Sequence, residues 1–176
     1  MEPWLFGEAP RDQTRAAAAR LRRVTGLLLA AEDEDPAVDR LLAALEQAEV
    51  ELASTVPTDP RPRVGPAADA DGRVYLDHGR DVGAYNPAFP AYELAVDGPT
   101  ATGTVAFPIA FEGPAGYVHG GLLALFADCI AQHHNCEVGV AGKTVSLAIR
   151  YRRPAPLLTM LTVDADRRTE DGRIHS

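Results

Sequence analysis

Residues 117–126 read YVHGGLLALF, and Ala127-Asp128 follows at once, so a histidine and two glycines stand where an apolar helical run begins. Asp128 lies nine positions after His119, inside that run. Glycines at a helix start let a docked group approach unpaired backbone N–H groups at the positive end of the helix dipole. A carboxylate two to three turns further on is a poor core residue, because burying an unpaired charge is costly. Amides that hold an oxyanion, beside a carboxylate that serves as acid or base, are the minimum apparatus for acyl chemistry.

The second half of the same run carries Cys129, Gln132, His133, His134, Asn135 and Cys136. The two cysteines are seven apart, about 10.5 Å of helical rise, too far for a disulfide within the helix. They read as small buried hydrophobes in a reducing compartment. Adjacent His133 and His134 project about 100° apart, which does not suit a tetrahedral zinc frame. They are read as satisfied polar groups at an interface. The reading calls for no metal and no cofactor.

These residues need elements to hold them. The spacing predicts a helix over 11–31, broken by Asp33-Glu34-Asp35-Pro36, and a second opened by Pro36 and running through Ala53. The cluster Arg15, Arg20, Arg22 and Arg23 reads as a solvated helix face. Residues 54–72 hold four prolines and read as a linker. From Arg73 the texture is that of short strands: a weak one over 74–76, then 92–96 and 102–109 as an antiparallel hairpin about Asp97-Gly98-Pro99. Gly113-Pro114-Ala115-Gly116 breaks the chain before a helix over 121–136, which Gly139 and Gly142 close. Residues 144–151 and 160–166 alternate as strands do, and Asp171-Gly172 marks a turn. Apolar residues on nearly every side of the 121–136 helix imply that something wraps around it. One buried helix with antiparallel strands before and after it is an α+β arrangement, and a curled sheet with a free edge suits a dimer.

The chain is 176 residues long, enough for one domain with an appendage, and 46% hydrophobic, enough for a core. A formal charge of −8 argues against nucleic acid or an anionic membrane as the main partner. No stretch has the apolar length of a membrane span, and MEPWLFGEAPRDQ lacks the order of a secretory signal, so a cytoplasmic location is expected. No internal repeat and no low-complexity tract interrupts the sequence.

Asn86-Pro87, the run Phe111-Glu112-Gly113-Pro114-Ala115-Gly116-Tyr117-Val118-His119-Gly120-Gly121, Asp128, and Arg150-Tyr151-Arg152-Arg153-Pro154-Ala155-Pro156-Leu157 together resemble the hotdog-fold acyl-CoA thioesterases, and within them the PaaI-like group. The resemblance covers roughly residues 83–166. It implies a long central helix wrapped by a curved antiparallel sheet over 65–176, with 1–64 as a helical extension and proline-rich linker. It also implies a further hairpin beyond Arg173. The activity implied is hydrolysis of an acyl-CoA by a homodimer or homotetramer. Asp128 takes the place of the catalytic carboxylate, as nucleophile or as general base on water, and Gly120 that of the backbone oxyanion donor, with help from Gly121. Thr144 is the hydroxyl that steadies the attacking water. His119, which reads as fixing the loop by a hydrogen bond, and Asn86 stand on the substrate side; Arg150 and Arg152, two apart on one strand face, are placed to meet coenzyme A phosphates. Some relatives carry an asparagine where Gly113 stands, so that role is not transferred. The alternatives are a non-catalytic protein that binds acyl-CoA or an acyl carrier, and an enoyl-CoA hydratase or dehydratase on the same fold.

Overall fold

A computed structural model describes residues 10–56, 58, 81–140 and 143–176. The expected 74–76 strand, most of the linker and Gly142 lie outside the described residues. In chain order the elements are α1 (Asp12–Leu29), α2 (Pro36–Thr55), the single turn α3 (Val82–Tyr85), β1 (Tyr92–Asp97), β2 (Thr100–Ala106), α4 (Gly120–Glu137), β3 (Met160–Asp166), β4 (Arg168–Glu170) and β5 (Arg173–His175). The class is α+β with antiparallel sheets.

β1, β2 and β3 form one antiparallel sheet in that order, with Tyr92 opposite Val105 and Val105 opposite Leu161. The β1–β2 turn needs a positive φ at Gly98 (+56°), followed by Pro99, the pairing that a two-residue type II′ turn uses. β4 and β5 form a second hairpin whose turn residues, Asp171 and Gly172, both have positive φ, as type I′ requires. Alternate residues of the main sheet face α4. Phe126 is the hub of that layer: Phe89 stacks on it at 5.8 Å, while Tyr92 and Phe107 meet it edge-on at 5.8 and 5.1 Å. Offset-stacked and edge-to-face pairs add stabilisation beyond the area they bury.

α4 starts at His119, whose ring accepts a hydrogen bond from the Gly121 N–H, and ends in a Schellman motif. There Gly139 (φ +74°) lets its own N–H reach the Cys136 carbonyl, while the Val140 N–H reaches that of Asn135. Asp35 caps α2 by accepting from the Ala37 N–H, with Pro36 at the first helical position as the sequence implies.

Three expectations need correction. The 144–151 strand has no ladder partner among the described residues; 143–151 has no regular secondary structure and is exposed, Val145 at 95%. Alternation makes a segment able to pair but does not bring it to a sheet: the sheet is β1-β2-β3 among the described residues, and 143–151 joins neither of its outer edges. The wrapping of α4 is also one-sided, because the sheet covers Phe126 and Ile130 and leaves Leu125 at 48% exposure. Finally, Arg22 is no solvated cation. Its Nε donates to the Phe89 carbonyl at 2.7 Å and its Nη2 to the carbonyls of Gly83 and Asn86, which pins α1 onto α3 and the loop after it. α2 buries none of its residues and exposes Leu42, Leu45 and Leu52.

Candidate active site

The loop that delivers the start of α4 is built by short-range bonding. Glu112 accepts from the Gly116 N–H at 2.7 Å through a side-chain oxygen, and the Gly113 N–H donates to the Tyr117 carbonyl at 2.9 Å. The His119 N–H closes the loop onto the Phe111 carbonyl at 2.8 Å. Gly113 has a steric reason to lack a side chain: a Cβ there would lie 2.7 Å from the His119 Cα.

At the head of α4, the Gly121 N–H donates to His119 Nδ1 at 3.0 Å, and the Leu122 and Leu123 N–H groups both reach the His119 carbonyl. That leaves the Gly120 N–H without an acceptor among the described residues. The histidine therefore fixes the turn, and of the two glycines only Gly120 offers a free amide. The geometry narrows the expected oxyanion donors to one.

Two turns down the helix, half-buried Asp128 accepts a hydrogen bond from the Thr144 hydroxyl at 2.7 Å. The unpaired 143–151 segment thus brings the expected hydroxyl residue onto the expected carboxylate. At its other end the same segment lays Tyr151 over Gly120, with the phenol donating to the Gly120 carbonyl at 2.7 Å. An open cleft of about 520 Å³ begins there, lined by Tyr117, Gly120, Leu123, Tyr151, Arg152 and Arg153 among others. Its walls are mostly apolar, with two guanidinium groups.

The remaining expected residues fall elsewhere. Arg152 lines this cleft with Arg153, and Arg150 does not. The Asn86 side chain accepts from the Ala88 N–H at 3.0 Å, and its carbonyl takes the Arg22 bond, so its contacts belong to the α1–α3 seam. His133 and His134 are buried within the chain. The hydroxyl of Tyr92 lies 2.8 Å from His133 Nδ1, and His133 Nε2 is 3.5 Å from the Glu137 carboxylate. His134 Nε2 donates to the Gly98 carbonyl at 2.9 Å. Burial, reinforced by the Asp81 charge, pushes the Tyr92 hydroxyl far above its ordinary pKa, so it stays neutral and is no nucleophile. Of the two cysteines, Cys136 is buried and Cys129 half-buried.

Sequence reasoning missed Tyr151 and Glu112 as parts of the site. Both stand inside the quoted motifs, but only the fold reveals that one reaches across 31 residues to a carbonyl and the other back to its own loop.

No protein-family model matches the chain. Its structure superposes on the crystal structure of a thioesterase superfamily protein with a TM-score of 0.70 and 26% sequence identity, over 97% of this chain and 87% of that one. The superposition therefore takes in the N-terminal helices as well as the sheet and α4. Among the described residues no helix is long and apolar enough to cross a membrane. What the chain is similar to, over nearly its whole length, is a thioesterase superfamily protein, and that likeness points to a hydrolase of thioesterase type.

Proposed function

We propose that the protein is an acyl-CoA thioesterase of the PaaI-like, hotdog type, and that two copies of the chain build each site. One observation carries the reading: a carboxylate held by a hydroxyl (Thr144 to Asp128, 2.7 Å) on the helix whose first amide, that of Gly120, is unpaired. The similarity to a thioesterase superfamily protein supports it.

Eight residues separate Gly120 from Asp128, about 12 Å of helical rise. A thioester carbonyl is about 1.2 Å long, so one chain's amide and carboxylate cannot serve the same bond. Pairing two copies supplies the amide of one and the carboxylate of the other. The exposed Leu125, Val145, Leu147 and Ile149 suit burial against such a partner.

In this reading the Thr144 hydroxyl occupies one Asp128 oxygen and leaves the other for water. Asp128 takes a proton from the water as its oxygen bonds to the thioester carbon. The carbonyl oxygen, now anionic, is held by the partner's Gly120 N–H. Collapse breaks the C–S bond, the proton passes to the departing sulfur, and free acid and coenzyme A leave. An oxyanion donor of this kind is worth roughly 10²–10³ in rate and a general base roughly 10²–10⁴.

The test is incubation with short, medium, long and aryl acyl-CoAs in the presence of a thiol reagent. Release above background with at least one class is expected. Saturable binding without release would replace the reading with that of a non-catalytic acyl-binding protein.

A further inference from the structure

We propose that Tyr151 is a positioning residue for the oxyanion amide, a role that rests on the thioesterase reading. The Gly120 N–H lies in the His119–Gly120 peptide plane, and the freedom of the glycine that follows lets this first turn shift unless the planes around it are held. The structure pins the peptide planes on both sides of it. On the preceding side, the His119 carbonyl accepts from the Leu122 and Leu123 N–H groups, and the His119 N–H is tied to Phe111. On the following side, the Gly120–Gly121 peptide is held at both of its polar ends. Its carbonyl accepts the Tyr151 phenol at 2.7 Å, and its N–H donates to His119 Nδ1 at 3.0 Å. A carbonyl oxygen has two lone pairs, so the phenol adds to the helical hydrogen bond at Gly120 without displacing it.

The contact is also close in space. A Cβ at Gly120 would sit 3.3 Å from the Tyr151 ring, so the ring closes over the glycine and forms one wall of the cleft. Tyr151 is 57% exposed, so folding does not depend on its burial. What the phenol does is stop the first turn of α4 from fraying, the ordinary behaviour of a helix end. With both planes fixed, the Gly120 N–H keeps one direction, and an oxyanion donor acts only while it stays aimed.

The test is Tyr151→Phe, which keeps the ring and removes only the hydroxyl. Losing one net hydrogen bond at this position is expected to lower kcat by about three- to tenfold, with KM unchanged and only a small drop in the denaturation midpoint. Amide exchange at Gly121, followed by NMR, is expected to quicken in the same variant. Asp128→Asn is run beside it. An active wild type, a dead Asp128→Asn and a Tyr151→Phe equal to wild type in kcat and in Gly121 exchange would overturn this role and leave the thioesterase reading standing. A wild type inert on every acyl-CoA would overturn both.

Discussion

Thr144 is the residue whose role rests most directly on one bond, its hydroxyl donating to an Asp128 oxygen 2.7 Å away. Thr144→Val keeps the shape and removes the donor, which lets the carboxylate swing and spoils its line to the water. The expected result is a fall in kcat of about tenfold, in keeping with one hydrogen bond to a charged group. Thr144→Ser is expected to keep most of the rate. Equal activity in the valine variant would remove Thr144 from the site. Much at this scale was legible beforehand. Asp128 and the glycine amides stand out by type and spacing, Thr144 only through the family resemblance, and the fold brings its hydroxyl onto Asp128. Asn86 and Arg150 could not be placed this way, since the direction of a long or loop-borne side chain depends on packing that spacing does not encode. Gly121 was over-read for a simpler reason: its amide is consumed by the histidine two residues before it.

At the scale of elements, the sequence periodicities located α1, α2, β1, β2, α4 and β3 to within a few residues, because each has its own apolar pattern or turn chemistry. The 143–151 segment shows where pattern stops being enough: its alternation is real, yet alternation does not decide whether a segment is carried to a sheet edge. The α1–α3 seam was invisible as well, because Arg22 uses its charge on carbonyls distant in sequence. That seam has a titratable weak point at Asp81, which sits at φ +55° just before α3 with one carboxylate oxygen buried and without a hydrogen-bond partner among the described residues. Burial raises its pKa, against the opposing pull of His133, the Ala84 amide, Arg15 and Arg22. The folded chain therefore holds this proton where the unfolded chain has released it. The associated stability is present below the ordinary carboxylate pKa and is lost as pH rises through the raised one. Asp81→Asn ends that titration, and asparagine tolerates the left-handed backbone. Denaturation midpoints of variant and wild type are expected to separate, in the variant's favour, as pH climbs from about 4 toward neutrality. A gap that stays constant across the range would contradict the assignment.

For the whole molecule, the proposed chemistry needs two copies to share each site, and mixing two crippled variants tests that. Asp128→Asn removes the carboxylate. Gly120→Pro removes the amide hydrogen at the first helical position, where proline is accepted, and His119 before it already has the extended backbone (φ −63°, ψ 131°) that a following proline demands. Each variant alone is expected to be inactive on an acyl-CoA that the wild type hydrolyses. In a symmetric pair, a mixed dimer holds one site with both groups intact and one with neither. Random subunit exchange makes half the dimers mixed, so activity of about a quarter of wild type is expected to return on mixing. If verified mixed dimers stay as inactive as their parents, Gly120 and Asp128 do not act on one thioester from two chains, and the central claim is wrong.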